Sequence, residues 1–124
     1  MGLPEAHRLK HRQDFKAVYK RGSRCRGRYL TLRALPPSYL CESVQIGISI
    51  SQKVSKKAVI RNRIKRQIRA VMQELLPQIS PGWKLVVIVK PQAVACDYEH
   101  FLRELEELLT KAEVLNGHSR RGVL

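Results

Sequence analysis

The sequence predicts an α+β fold, a small mixed sheet packed with helices in the order α-β-β-α-β-α. Three observations carry this. Stretches 28–35 and 44–51 alternate apolar residues with polar or small ones, the period of a half-buried strand. Leu85-Val86-Val87-Ile88-Val89 is continuously apolar, as a strand covered on both faces is. Stretches 58–76 and 98–115 repeat apolar residues every three or four positions, the mark of a helix with one buried stripe. At 124 residues the chain fits one domain, taken as 1–115, with 1–11 extended and 116–124 a flexible tail.

The first helix is expected over 13–21, where Phe15, Val18 and Tyr19 share a face and Gly22 follows as a terminator. Residues 23–28 read as a basic loop. In the next strand Leu30, Leu32 and Ala34 point one way and Tyr29, Thr31 and Arg33 the other, until Pro36-Pro37 ends it. Val44, Ile46, Ile48 and Ile50 then face Gln45, Gly47, Ser49 and Ser51 across a second strand, whose small, polar side can lie open as a platform. The long helix buries Ile60, Ile64, Ile68, Val71, Met72 and Leu75 and stops at Pro77. Pro81-Gly82 turns the chain into the apolar strand, which Pro91 ends. Asp97 is placed to cap the last helix, with Phe101, Leu102, Leu105, Leu108 and Leu109 inward and Glu104, Glu106 and Glu107 outward.

Charge says what the fold is for. There are 24 Lys and Arg against 10 Asp and Glu, a formal +14, which favours a polyanionic partner. Residues 1–73 hold 18 basic and three acidic residues, +15, whereas 74–124 hold six and seven, −1. One face therefore meets the polyanion while the rest builds the body. Between Lys53 and Arg69 stand eight basic residues and no acid: Lys53, Lys56, Lys57, Arg61, Arg63, Lys65, Arg66 and Arg69. On the helix, Asn62, Lys65, Arg66 and Arg69 lie opposite the apolar stripe, with Arg61 and Arg63 on its flanks. Such a comb repels itself unless phosphates neutralise it, and guanidinium forks match phosphate oxygens. Aromatic rings beside arginines suit stacking with unpaired bases; Phe15 and Tyr19 fit either that role or the core.

Other chemistries find no support in the residues. The longest apolar run is five residues, and 1–20 has no hydrophobic signal core. Cys25, Cys41 and Cys96 form no C-x-x-C pair and fit free thiols in a reducing cytoplasm. His7, His11, His100 and His118 do not cluster with cysteines or carboxylates at zinc spacing, and the one pair four apart, His7 and His11, lies alone in a basic segment, so no dedicated protein metal site is expected. No nucleophile and base pair off, and no catalytic residue is assigned.

These residues resemble the protein subunit of bacterial ribonuclease P. The likeness rests on Lys57-Ala58-Val59-Ile60-Arg61-Asn62-Arg63-Ile64-Lys65-Arg66, the strand Ile46 to Lys53 before it, and Arg8-Leu9-Lys10, Asp14-Phe15, Val18-Tyr19 and Gly22. The strand Leu85 to Val89 with Lys90 and the closing helix complete it in order. Gln52 departs from the lysine many relatives carry there. The resemblance implies a left-handed β-α-β crossover that carries the arginine-rich helix, against the usual hand. It also implies a non-catalytic protein subunit of a ribonucleoprotein endonuclease. The partners would be its catalytic RNA and precursor transfer RNA, with no membrane and no DNA. The RNA would hold the Mg2+ and remove the 5′ leader. By position, Lys53, Lys56, Lys57, Arg61, Asn62, Arg63, Lys65, Arg66 and Arg69 would contact RNA. Phe15, Tyr19, Tyr29, Ser49 and Ser51 would line the cleft for the single-stranded leader. A ribosomal or RNA-chaperone protein shares the comb without the cleft. A DNA-reading helix lacks the helix and tight turn that should precede it, and a self-sufficient nuclease would cut without RNA.

Overall fold

The computed structural model describes residues 3–37 and 43–115; the expected tail, 116–124, lies outside them. Three α-helices and four strands are present: α1 Arg12–Arg21, β1 Ser23–Arg26, β2 Leu30–Leu35, β3 Gln45–Ser49, α2 Ala58–Leu75, β4 Lys84–Val89 and α3 Tyr98–Lys111. The strand order is β1-β2-β4-β3, with β1 and β4 antiparallel to β2 and β3 parallel to β4, so the sheet is mixed. The parallel step from β3 to β4 is made by α2, the arginine-rich helix.

Register fixes the two faces. Leu30, Leu32, Ala34, Ile46, Leu85, Val87 and Val89 join Ile64, Ile68, Met72 and Leu75 of α2 and Phe101, Leu105 and Leu109 of α3 in the main core. The other face has a smaller cluster, where Leu9, Val18 and Val86 are buried with Phe15, Leu35 and Ile88 against them. β4 thus faces apolar groups on both sides, as its unbroken run requires.

Several details of the expected backbone change. β1, read as a loop, is an edge strand whose register pairs Ser23 with Ala34 and Arg26 with Thr31. Its charged side chains hide the strand signal, and such charges blunt a sheet edge. The N-terminal segment is not simply extended: it makes a 3-10 turn at Glu5–His7, then a parallel bridge from Arg8 to Ile46. Gly22 terminates α1 as expected and donates its amide to Val18 O, but with φ −79 and not in the left-handed region; a Cβ there would lie 2.5 Å from the Val18 carbonyl oxygen and 2.9 Å from that of Ala34. It allows α1 to close on β2. α3 ends at Lys111, four residues early. Glu113, at φ 61, donates its amide to Thr110 O, and Val114 donates to Leu109 O, which closes the helix in a Schellman turn.

Glu104 carries the largest correction. Helical spacing places it outward, yet it is 9% exposed. Its Oε2 accepts the amides of Tyr29 at 2.8 Å and Leu30 at 2.7 Å. The β1–β2 turn offers those two N–H groups where the sheet cannot pair them, and a buried carboxylate on α3 satisfies both.

Candidate nucleic-acid interface

Two regions gather the expected binding residues. The first is a trough on the sheet face that carries α1. In one row across the sheet Arg24, Arg33, Val86 and Gly47 are register partners; in the next, on the same face, stand Arg26, Thr31, Ile88 and Ser49. α1 roofs the first row: Val18 is fully buried with Val86, and Phe15 packs over Gly47, whose missing side chain leaves room for the ring. An ion pair from Lys84 Nζ to Asp14 Oδ1 at 3.2 Å fastens α1 to β4. The second row forms a floor beside α1, with Ile88 and Ser49 only partly covered.

Tyr19 stands 39% exposed on the α1 wall. The Arg33 guanidinium lies 5.5 Å from its ring centroid, and Arg33 Nη2 donates to the Tyr19 carbonyl. Arg33 Nε is buried without a partner. Arg33 was not singled out from the sequence, although strand alternation already set it on the face opposite Leu32. Beside a ring it offers both stacking and charge. Ser51, past the end of β3, is exposed, and its Oγ accepts the Lys53 amide at 3.2 Å. The trough floor thus runs through Ser49 towards the basic segment.

The structure does not bring Tyr29 to this trough. Its ring meets His100 of α3 edge-on, with centroids 6.0 Å apart, and packs against the main core. The reason is local: β2 begins only at Leu30, so Tyr29 belongs to the turn that Glu104 holds, and the alternation of the strand does not govern it.

The second region is the loop 50–57 and the first turns of α2. Lys53, Lys56, Lys57, Asn62 and Arg66 are exposed. α2 has no acid in its first turn and no side-chain cap, so its uncapped amides and macrodipole add to the cationic field. The comb is not uniform. Arg61 Nη1 donates to Ser55 O at 2.8 Å and Arg63 Nη2 to Val94 O at 3.0 Å, with Arg63 Nε buried and unpaired. Lys65 and Arg69 are half-buried, and burial, then the nearby Arg8 charge, pulls Arg69 below the usual arginine range.

Four carboxylates are engaged elsewhere. Asp14 pairs with Lys84, Glu104 holds two amides, Asp97 caps α3 through the His100 amide at 3.1 Å, and Glu74 accepts the Tyr98 hydroxyl. Backbone donation from His100 is the main cause that holds the Asp97 carboxyl below its ordinary range. Among the described residues no three His, Cys, Asp or Glu side chains gather where a metal ion could be held. No helix among them is long and apolar enough to cross a membrane.

Comparison with known proteins gives one answer. The family model described as Ribonuclease P matches residues 3–113. The ribonuclease P protein component of Microcystis aeruginosa is 59% identical over 122 residues, covering 95% of this chain and all of that one. That of a Picosynechococcus species is 56% identical over 118 residues, with coverage of 95% and 100%. The RNase P protein of Staphylococcus aureus superimposes with a TM-score of 0.81 at 29% identity, over 90% of this chain and 100% of that one. The Thermotoga maritima protein gives 0.73 at 25%, over 84% and 96%.

Proposed function

The chain belongs to the bacterial ribonuclease P protein family, a subunit of the ribonucleoprotein that processes transfer RNA, and from this we propose how its two basic regions divide the labour. The loop 50–57 and α2 dock on the catalytic RNA, while the trough beside α1 takes the single-stranded 5′ leader of precursor transfer RNA. Magnesium and bond cleavage belong to the RNA. The protein lends affinity and orientation.

The observation that carries this reading is the continuity of trough and segment. Phe15, Tyr19 and Arg33 offer ring and guanidinium surfaces along α1, and the floor passes through Ser49 and Ser51 to Lys53. Bases stack on the wall without sequence-specific hydrogen bonds, and the cations track the backbone. Cations held beside the phosphates also lower the repulsion between leader and catalytic RNA, which eases magnesium assembly at the junction. The engaged state of Asp14, Glu74, Asp97 and Glu104 fits a protein that leaves the chemistry to RNA. Free Cys25 and Cys96 fit a reducing cytoplasmic setting. This ring-and-cation trough suits a single strand of nucleic acid, and membership of the ribonuclease P family makes that strand RNA, with neither DNA nor a membrane proposed as a partner.

The test compares reconstituted holoenzyme binding to precursor and mature transfer RNA. The precursor is expected to bind more tightly, with a log–log salt slope of roughly −0.7 for each leader phosphate contacted. Equal affinities would remove the leader role.

A further inference from the structure

A cavity of about 470 Å3 opens between the β1–β2 turn and α3, on the opposite side of the sheet from the trough. We propose that it is a second RNA site, one that takes a single unpaired nucleotide. The volume lies within the range of small-ligand pockets, roughly 300–1,000 Å3. Tyr29 and His100 supply a pair of rings set 75° apart, and the Arg28 guanidinium lies 5.9 Å from the Tyr29 centroid. Arg103 and Lys111 are exposed on the lining. Among the described residues no ion pair neutralises these two or Arg28. The wall is stiff, because Glu104 locks the turn through two amides and a Cβ on Gly27 would strike that carboxylate at 2.4 Å.

Rings and cations together point to a nucleotide, since a bare phosphate makes no use of Tyr29 and an acidic peptide would meet Glu104 and Glu107 with like charge. Glu104 is spent on the two turn amides, so Glu107, exposed on the lining, is the carboxylate left to a ligand, and it accepts but does not donate. It suits a base edge rich in N–H groups, such as guanine with its ring N–H and amino group, and disfavours uracil, whose single ring N–H is flanked by carbonyls. This inference takes from the proposed function only that the polyanion is RNA.

The experiment titrates guanosine monophosphate into the full chain at low salt and follows the ring protons of Tyr29 and His100 by NMR. Uridine monophosphate, inorganic phosphate and an oligoglutamate peptide are titrated in parallel. The guanine nucleotide is expected to shift both rings and to bind more tightly than the other three. Tyr29→Leu should weaken it roughly five- to 150-fold, the range for loss of one base–aromatic stack. Arg103→Glu, at an exposed position, should weaken it as well. The proposal is overturned if inorganic phosphate or the peptide binds as well as the nucleotide, or if Arg103→Glu and Tyr29→Leu leave the nucleotide's affinity unchanged. Leader binding is read separately in the precursor–mature comparison, so the two ideas fail independently.

Discussion

The ring of Phe15 occupies the space where Gly47 has no side chain: a Cβ built on Gly47 would fall 2.5 Å from Cζ and 2.7 Å from Cε1 of that ring. The strand residue and the helix residue therefore set the wall of the trough jointly. Gly47→Ala must push the ring outward or lift α1, because Leu9 Cβ already stands 3.3 Å away on the same side. Overpacking of this kind costs about 1–3 kcal/mol. The expected outcome is a modest fall in stability by urea denaturation together with a clear loss of precursor affinity. A variant that keeps full precursor affinity would show that the ring does not meet the leader.

Glu104 gives a sharper stability test. Truncation to alanine leaves the part-buried Tyr29 amide and the buried Leu30 amide unpaired. Each such group costs about 1–3 kcal/mol, so Glu104→Ala should lose about 2 kcal/mol or more. Glu104→Gln retains a carbonyl acceptor of the same reach and should lose less than half of that. Denaturant midpoints of the two variants check the order, and equal losses would mean that packing, not the paired amides, sets the value of this residue.

The same carboxylate marks the boundary of what the sequence could tell. Helical periodicity found the stripe of α2 through Ile64, Ile68 and Leu75, and alternation found β2, β3 and β4, because each pattern records burial along one element. The basic segment was equally plain, since charge composition needs no tertiary information. Glu104 and Tyr29 were misplaced because each takes its surroundings from the other's element, 75 residues distant, which no local period encodes. β1 was missed for a related reason: only its pairing with β2 makes it a strand. Arg33 shows the remaining gap, as alternation gave its face but nothing local revealed the Tyr19 ring beside it.

The end of α3 holds a residue at odds with its backbone. Glu113 takes the left-handed conformation, φ 61, at the position where a Schellman turn favours glycine. The left-handed region costs a side-chain-bearing residue about 1 kcal/mol relative to glycine. Glu113→Gly should therefore raise stability by up to about 1 kcal/mol, less what the freer unfolded chain takes back. Thermal melts would read the gain, and a clear loss of stability would show that the Glu113 side chain contributes more than its strain.

Tyr98 ties α3 to α2 by donating its hydroxyl to Glu74 Oε1. That hydrogen bond first, then burial and the charges of Glu74 and Glu99, pushes the phenol up to about 12 from its ordinary value of 10.0. The folded state thus favours the protonated phenol. Its contribution is complete below pH 10 and disappears as the pH rises from there to about 12. An ultraviolet titration should show one tyrosine ionising late, and Glu74→Gln should bring it back towards the others. A single common transition in the unaltered protein would contradict the tether.

Arg63 and Arg66 separate folding from RNA contact within one helix. Arg66 is exposed on α2 and free to reach phosphate. Arg63 is half-buried, with Nη2 bonded to Val94 O on the segment that leads into α3. Removal of Arg66 touches no packed group, so Arg66→Ala should change stability by less than about 0.5 kcal/mol. Arg63→Ala leaves the Val94 carbonyl without its donor, which costs about 1–3 kcal/mol. Each lost phosphate contact should also flatten the salt dependence of assembly with the catalytic RNA by about one unit of log–log slope. The expected pattern is a shallower slope at unchanged stability for Arg66→Ala, and a lower unfolding midpoint for Arg63→Ala whatever its slope. Should Arg66→Ala assemble with the unaltered slope, the exposed face of α2 does not meet phosphate, and docking on the catalytic RNA would have to pass to Lys53, Lys56 and Lys57 in the loop before it.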